Sequence, residues 1–447
     1  MTIMVPVAMF GWIPFTILLF TWFPPRRAAV IAFVTGWMFL PNYEYVFEGF
    51  PDYTKTSAIC TSILLAALIF DPERVHTFRF SRWDLPMLFW CFSPLPSSLS
   101  NDLGFYDGLA SSLDICIKYG FPYYIGRIYF TNGRALHELA LAVFLGGMAY
   151  VPLCIWEMRM SPQLHRQLYG FHQHDFLMTI RMGGYRPMVF MDHGLMVGMW
   201  MTAACLCGVW LWRAGALKRW RSIPPGLWIA ILLATTLFVR STGAIFLLIM
   251  GLCSLWFASK FRTTLPMLAL IILPLVYIGF RSTNVWDGRE LVGSVSKWNL
   301  ERAASLWFRF ENEIMLADKA MEQPIFGWGG YGRARVYDEE TGEDLTVTDS
   351  QWIIVFGNHG LWGFVNLTLA FMLPIFLLWR YYPPSRWGEP RLAPASALAM
   401  ILVLFMIDNL VNDMMTPLYG LIAGALTGFY VTRGGEPPHT IHPIRVL

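Results

Sequence analysis

Two arginines lie seven residues apart in a polar stretch whose apolar residues recur at helical spacing. Between Glu301 and Met321, Arg302 and Arg309 would project from one side of a helix, roughly 10 Å apart along its axis. Guanidinium groups keep their charge and bind phosphate oxygens in a bidentate way. The spacing therefore predicts a pyrophosphate site. The alternative is that Arg309 pairs with Glu313 four residues later, a common arrangement on helix surfaces.

Arg240 stands in the sequence FVRSTGA, between two apolar runs whose far ends carry basic residues. It is therefore expected at the outer tip of a helical hairpin, where a positive charge opposes the usual topology and often marks a ligand site. The alternative is an arginine that extends its charge from a helix end into water. The pattern leaves both readings open.

A third group of ionisable residues falls where a basic, histidine-rich stretch meets the next apolar run. It consists of Arg181, Arg186, Asp192 and His193. An ionisable pair in the first turns of an apolar run predicts a functional site, and an interfacial helix cap is the alternative. The neighbouring histidines are spaced for neither a zinc finger nor HExxH, so no metal site is expected; they are His165, His172 and His174.

Asp349 stands at the predicted start of the helix after the polar stretch, and His359 lies ten residues, roughly 15 Å, further along. At a helix N-terminus Asp349 is either an N-cap or a proton acceptor. The sequence has no GxSxG or Walker pattern, and GWGGYG at 327–332 predicts a tight turn and not a nucleotide site. We expect no cofactor, and the catalytic candidates are Asp349, His193 and Arg309.

The composition is that of a membrane protein. Of 447 residues 56% are hydrophobic and only 14% are charged, with a mean hydropathy of +0.47; soluble domains have about a quarter of their residues charged. The net charge of +3 is small, and the basic residues form short clusters between apolar runs, which argues against nucleic-acid binding. The seven cysteines lie in apolar segments without CxxC spacing, which indicates buried thiols.

Thirteen apolar runs approach the length of about 20 residues that a helix needs to cross a bilayer. They are 5–23, 28–47, 56–71, 84–98, 108–126, 136–156, 190–212, 225–240, 243–259, 265–280, 351–379, 393–411 and 416–432. They predict an all-α fold, a polytopic transmembrane helix bundle of about 12–13 helices. The first run ends in Pro-Pro-Arg-Arg without a small-residue cleavage site and is expected to be a retained helix.

Basic residues in alternate short loops orient these helices, because such loops stay in the cytoplasm. The two long loops then face outward and the tail from Arg433 returns inside. The predicted division is N-terminal transmembrane helices 1–156, outer loop 157–189, central transmembrane helices 190–280, large outer loop 281–350, and C-terminal helices with a cytoplasmic tail 351–447.

The large outer loop has an organisation of its own. An apolar stripe at three- and four-residue steps predicts an amphipathic helix docked on the bundle or the membrane interface. The stripe is Trp307, Phe310, Ile314, Ala317 and Met321. Gln323-Pro324 should end this helix, and the acidic, turn-rich stretch 338–349 predicts a surface excursion.

The order of these motifs resembles the O-antigen ligase and O-antigen polymerase family of integral membrane glycosyltransferases, over roughly residues 181–363. The similarity rests on VRSTGA, on the interval from Arg309 to Pro324 in PIFGWG, and on TDSQWIIVFGNHGLWGF, where the family has an x-Gly-Leu-apolar-Gly pattern. Arg240 is followed by Ser-Thr-Gly and not, as in the family pattern, directly by Gly-Ala.

The resemblance implies transfer of a glycan from an undecaprenyl-pyrophosphate carrier to a sugar acceptor at the periplasmic face of the bacterial inner membrane, without metal or nucleotide sugar. Two arginines are implied to hold the pyrophosphate. Arg309 matches one by position, and Arg240 and Arg186 are candidates for the other. Arg181 and Arg302 complete the predicted substrate-binding set. The implied partners are the lipid-linked donor, the glycan acceptor, the bilayer and other polysaccharide assembly proteins.

The ligase branch of the family has a histidine at the start of the helix after the outer segment, where this chain has Asp349-Ser350. This difference favours a polymerase of O-antigen or exopolysaccharide repeats. The alternatives are an O-antigen ligase and a non-enzymatic transporter of lipid-linked oligosaccharide. For an enzyme, the expected mechanism is one inverting displacement, with Asp349 or His193 as general base.

Overall fold

The computed structural model describes residues 1–47, 49–181, 183–217, 223–283 and 285–432, and the predicted cytoplasmic tail lies outside them. The regular structure is almost entirely helical, which confirms the predicted all-α class. The described α-helices are α1 Met4–Trp22, α2 Pro25–Phe39, α3 Lys55–Phe70, α4 Pro72–His76, α5 Leu85–Cys91, α6 Pro94–Ser100, α7 Phe105–Ile115, α8 Phe121–Tyr129, α9 Gly133–Met160, α10 Leu164–Tyr169, α11 Gly194–Arg213, α12 Pro225–Phe238, α13 Thr242–Phe261, α14 Leu265–Ser282, α15 Arg289–Ser296, α16 Leu300–Met321, α17 Gln351–Tyr381, α18 Ala393–Asp408 and α19 Pro417–Val431.

Six of the described helices are long and apolar enough to cross a membrane: α1, α9, α11, α13, α14 and α17. Four shorter helices are also apolar: α3, α12, α18 and α19. Helices α18 and α19 are buried along almost their whole length and form the centre of the packing. Most cysteines are buried as predicted, but Cys253 on α13 is exposed.

Several predicted runs are shorter or broken in the structure. The run 28–47 is helical only to Phe39, because Leu40 precedes Pro41 and takes the extended conformation that a following proline favours. The run 84–98 is divided between α5 and α6 near Pro94. A π-helical turn at Cys116–Gly120 separates α7 from α8 just before Pro122, whose ring nitrogen cannot donate a helical hydrogen bond.

The loop 157–189 carries the two described strands, β1 Ile180–Arg181 and β2 Gly184–Tyr185. They pair antiparallel, with Ile180 opposite Tyr185 and Arg181 opposite Gly184. Arg186 follows β2 directly, and its N–H donates to the carbonyl of Thr179 at 2.7 Å. The hairpin therefore fixes the backbone positions of both arginines in this loop.

Helix α16 forms where the stripe predicted it. Asn299 caps its N-terminus by accepting a hydrogen bond from the N–H of Arg302 at 3.0 Å. The buried face, however, is rotated from the predicted stripe, because Met321 is 50% exposed while the charged Glu313 is buried. The buried residues of α16 are Ala303, Phe310, Asn312, Glu313, Leu316, Ala317 and Ala320. Residues 338–345 after it are mostly exposed, as predicted.

Helix α17 is broken at Gly360, and the segment that follows α16 fills the break. Gly360 has φ 60° and ψ −164°, so the carbonyls before it and the N–H groups after it lack partners within α17. Four backbone hydrogen bonds of 2.8–3.0 Å replace them: Trp328 N–H to Gly357, Gly329 N–H to Asn358, Leu361 N–H to Pro324 and Trp362 N–H to Ile325. The backbone of PIFGWG thus satisfies both ends of a discontinuous helix.

Two glycines make this junction possible. Gly327 and Gly360 have φ of 72° and 60°, a region that residues with a side chain rarely adopt. A Cβ on Gly327 would lie 2.5 Å from the carbonyl carbon of Asn358, and a Cβ on Gly360 would lie 2.3 Å from the carbonyl oxygen of Ile325. The patterns PIFGWG and NHGLWG are therefore the two halves of one backbone contact.

Candidate functional site

Four predicted site arginines come together from two separate parts of the chain. Arg186 follows the hairpin of the loop 157–189 and is only 4% exposed. Burial above all, and then the positive charges of Arg181, Arg302 and Arg309, lower its pKa to about 10. The first of these is on β1, and the other two are seven residues apart on α16. We call these four residues, Arg181, Arg186, Arg302 and Arg309, the arginine cluster.

Arg186 has little to balance its charge. Its Nε and Nη2 donate long hydrogen bonds of 3.4 and 3.3 Å to one carbonyl, that of Arg240. No carboxylate of the described residues pairs with it. Its aliphatic part crosses the first residue of α11, Gly194, where a Cβ would lie 2.3 Å from Arg186 Cδ. The backbone holds this side chain in place and leaves the guanidinium charge unneutralised.

Arg240 supports the hairpin that carries Arg181. Its Nη1 donates to the carbonyl of Arg181 at 2.5 Å, and its guanidinium lies against Gly184, whose added Cβ would be 2.3 Å from Nη2. Its backbone, at φ 60°, presents the carbonyl that Arg186 contacts. The sequence left Arg240 as either a ligand contact or a helix-end charge; the structure shows it bracing the two arginines of the hairpin loop.

Arg309 does not pair with Glu313, so the alternative reading of the helix-surface pair is wrong. Its Nε lies 3.3 Å from Oδ2 of Asp349, and its Nη1 donates to Oδ1 of Asn412 at 3.2 Å. Asp349 itself is not the helix cap, since the N-cap residue of α17 is Ser350. The predicted catalytic candidates Asp349 and Arg309 are thus in direct contact.

The carboxylate of Glu313 is occupied by four other donors. Oε2 accepts from Tyr277 at 2.7 Å and from Arg281 Nε at 2.9 Å, and Oε1 accepts from Trp352 at 2.6 Å and Ser350 at 3.1 Å. The donors belong to α14 and to the start of α17. Because all of them are buried or nearly so, Glu313 fixes α16 against both helices and sets the direction of its arginines.

The rest of the arginine cluster carries few negative partners. Arg181 reaches Glu301 at 3.5 Å, but the carboxylate of Glu301 is 77% exposed and contributes little. The Nε of Arg181 is buried without a hydrogen-bond partner among the described residues. No carboxylate in the described part of the chain pairs with Arg302. The cluster therefore has an excess of fixed positive charge and free N–H donors, which suits a multiply charged anion.

His193 lies beside the arginine cluster and caps α11. Its Nδ1 accepts from the N–H of Leu195 at 3.0 Å, so the proton of the neutral ring is on Nε2. Burial above all, and then the charges of His174, Arg186, Arg181 and Arg309, lower its pKa to about 3. A neutral ring with a low pKa and a free Nε2–H is a better hydrogen-bond donor than general base.

Asp192 is bonded to the N-terminal part of the chain. Its Oδ1 accepts from Asn42 at 2.7 Å, burial raises its pKa, and its nearest opposite charges are His174 and Lys55. Lys55 is buried and donates to the carbonyl of Phe190 at 2.9 Å. Asp192 therefore ties the loop to the N-terminal part of the chain, whereas its sequence neighbour His193 caps α11.

The remaining predicted histidines have structural surroundings. His165 accepts from the N–H of Asn42 at 3.2 Å and contacts the carbonyl of Phe171 at 2.9 Å, so both ring nitrogens are used. His359 packs edge-on against Trp90 at 5.3 Å beside the break in α17. Among the described residues, no three His, Cys, Asp or Glu side chains are placed to hold a metal ion.

Sequence reasoning missed a polar group at the end of α18. Asn412, which Arg309 contacts, donates to Oδ1 of Asp408 at 3.0 Å. The signal was present in MIDNLVNDMM, where Asp408, Asn409 and Asn412 interrupt an apolar segment. Ionisable and amide side chains in such a segment face the interior and mark functional positions.

The sequence matches no known protein-family model, and no curated protein matches it.

Proposed function

We propose that this chain is an integral membrane glycosyltransferase that polymerises undecaprenyl-pyrophosphate-linked oligosaccharide repeats, of O-antigen or exopolysaccharide type, at the periplasmic face of the bacterial inner membrane. The observation that carries the proposal is the unbalanced positive charge of Arg181, Arg186, Arg302 and Arg309. Guanidinium groups from two segments can surround a pyrophosphate, which has several oxygens and multiple charges.

The proposed topology follows from the six long apolar helices, the shorter apolar helices and the basic residues between them. About 12–13 crossings would place the loop 157–189 and the insert 281–350 on the same outer side. The ion pair between Arg181 of the loop 157–189 and Glu301 of α16, at 3.5 Å, supports this topology, because both loops must lie on one side for it to form. The site would then face a lipid headgroup at the outer leaflet.

The proposed reaction is a single inverting displacement. The hydroxyl oxygen of the acceptor sugar bonds to the anomeric carbon of the donor, the bond from that carbon to the pyrophosphate oxygen breaks, and the lipid pyrophosphate leaves with the electron pair. The hydroxyl proton passes to a base. The arginine cluster stabilises the charge that develops on the leaving oxygen, and preorganised donors of this kind are worth about 10²–10³-fold each.

The assay that tests this proposal uses the purified protein in lipid vesicles with a synthetic undecaprenyl-pyrophosphate repeat unit. Lengthened lipid-linked product is expected. Transfer only to a different acceptor would make the chain a ligase, and movement across the bilayer without transfer would make it a transporter. No reaction and no movement would contradict all three.

Arg309→Ala should lower the rate of polymer formation in that assay by about 10²-fold or more. The reason is that Arg309 carries one of the proposed pyrophosphate-binding charges and contacts both Asp349 and Asn412. The matched control is Arg289→Ala in the same insert, since Arg289 is 76% exposed and paired with Asp287. Arg289→Ala should leave the rate unchanged. Near-normal polymer from a folded Arg309→Ala protein would contradict the proposed role.

A further inference from the structure

A group of buried polar side chains lies at the end of α18 and in the turn that leads to α19. Asp408, Asn409 and Asn412 are 8%, 4% and 7% exposed. Helix α18 is apolar and buried from Ala393 to Phe405 just before them. Three polar side chains in such surroundings need a physical reason, since each loses water on burial.

Hydrogen bonds connect this group to the arginine cluster. Arg309 Nη1 donates to Asn412 Oδ1 at 3.2 Å, and Asn412 Nδ2 donates to Asp408 Oδ1 at 3.0 Å. The carbonyl of Asn412 accepts from the N–H of Gln351 at 3.2 Å, and Asn409 donates to the side-chain oxygen of Gln351. The α18 group is therefore continuous with the residue that we place on the pyrophosphate.

Two acceptor oxygens in the group have no donor. Asp408 Oδ2 and Asn409 Oδ1 are buried without a hydrogen-bond partner among the described residues. Asp408 is also the last residue of α18, where the negative end of the helix dipole opposes a carboxylate. The fold thus keeps a carboxylate at a position that opposes it, with one oxygen unsatisfied, which is the behaviour of a group that awaits a ligand.

We propose that Asp408 and Asn409 bind a hydroxyl group of the acceptor sugar, and that Asp408 takes its proton. The proposal rests on the proposed glycosyltransferase function. As the hydroxyl oxygen bonds to the anomeric carbon, its proton moves to Asp408 Oδ2 and the lipid pyrophosphate leaves with the electron pair of the broken bond. The carboxylate and the amide oxygen both accept O–H donors, and hydrogen bonds through Asn412 connect Asp408 to Arg309 of the arginine cluster.

This assignment gives Arg309 a place between the donor and acceptor subsites. Its hydrogen bond to Asn412 connects the arginine cluster to the polar residues at the end of α18, and its side chain is 27% exposed. Asp349, by contrast, pairs with the Arg309 guanidinium at 3.3 Å, which makes it a positioning residue for Arg309.

The test compares Asp408→Asn with wild type in the vesicle assay. Asp408→Asn keeps size and hydrogen bonding but cannot take a proton, so polymer formation should fall by about 10²–10⁴-fold. Binding of undecaprenyl pyrophosphate, measured by titration, should stay within about twofold of wild type, since the arginine cluster is intact. Asp413→Asn, the same change at an exposed carboxylate five residues on, is the matched control and should keep the wild-type rate.

A second pair of variants covers the case in which Asp408→Asn does not fold. Asn409→Ala removes the other unsatisfied oxygen and should raise the KM for the acceptor about tenfold with little change in donor binding. In Asp408→Ala the missing carboxylate leaves space for formate, and added formate should restore part of the rate.

The outcomes separate this inference from the function on which it rests. A wild-type protein that transfers no glycan overturns the proposed function and this inference together. An active wild type with an Asp408→Asn variant that keeps more than about a tenth of the rate overturns the inference alone. An unchanged acceptor KM in Asn409→Ala has the same consequence where Asp408→Asn does not fold.

Discussion

Arg281 and Arg186 are both buried arginines, and their surroundings are opposite. Arg281 lies 2.9 Å from Glu313 and donates to the carbonyls of Phe310 at 2.7 Å and Trp286 at 3.1 Å. Arg186 makes two long hydrogen bonds to one carbonyl and has three arginines as charged neighbours. A buried charge with all its partners holds elements together, whereas a buried charge among like charges is accounted for by a ligand of opposite sign.

The largest effect that tests this comparison is on folding. Arg281→Ala should destabilise the protein by about 3–5 kcal/mol, because it leaves the Glu313 carboxylate buried without its opposite charge. The measurement is thermal unfolding of the detergent-solubilised protein. Arg289→Ala, at an exposed pair in the same insert, should unfold as wild type does. Equal unfolding of the two variants would remove the distinction between a structural arginine and a surface one.

The converse change removes the charge that lacks a partner. Arg186→Gln should lower polymer formation by about 10²–10³-fold and leave the unfolding temperature unchanged or higher, since it relieves repulsion within the arginine cluster. Added inorganic pyrophosphate should raise the unfolding temperature of wild type and not that of Arg186→Gln, because a ligand stabilises only the state that binds it. A marked fall in stability without pyrophosphate would place Arg186 with Arg281 as a structural residue.

Local sequence signals predict the ends of α16 but not which of its faces is buried. The bounds of α16 follow from its periodicity, its Asn299 cap and Gln323-Pro324, which are all local signals. Its buried face does not. The apolar pattern places Glu313 on the solvent side of α16. In the structure four donors from α14 and the start of α17 bond to its carboxylate, and Glu313 therefore lies on the buried face.

The partners of Arg309 show the same limit. A rule for residues four apart offers Glu313, whereas the contacts actually made are with Asp349 and with Asn412, which is 103 residues away. The gathering of the arginine cluster could be anticipated, since the alternation of basic loops predicts that both long loops lie on one side. Which arginine is buried and which braces the hairpin depends on Gly184 and Gly194, whose contacts are tertiary.

The glycine patterns predict a turn after α16, but they do not reveal that this turn contacts a break in α17. GWGGYG at 327–332 predicts a turn, and the structure has that turn, with Gly327, Gly329 and Gly332 at positive φ. That NHGLWG breaks α17 to receive it could not be predicted, because the apolar stretches 352–356 and 361–364 read together as one continuous span. The break becomes evident only when the donors and acceptors of both segments are counted.

The smallest effect uses His193 to report the charge of the arginine cluster. Its folded pKa of about 3 is below the ordinary 6.5, so the unfolded chain gains a proton below pH 6.5 that the folded protein refuses. Its contribution to stability is therefore complete above pH 6.5 and is lost as the pH falls toward 3. His193→Asn keeps a capping oxygen. When the pH falls from 7 to 5, its free energy of unfolding should decrease by about 1–2 kcal/mol less than that of wild type.

Arg186→Gln should also reduce the loss of stability at low pH, by a smaller amount than His193→Asn. It removes one of the positive charges that lower the His193 pKa. Arg281→Ala should not, since Arg281 is not among the groups that shift it. The measurement is the unfolding temperature of each variant between pH 4 and pH 7. A wild-type profile that Arg186→Gln leaves unchanged would mean that the Arg186 charge does not shift the His193 pKa, and it would contradict the electrostatic basis of the proposed pyrophosphate site.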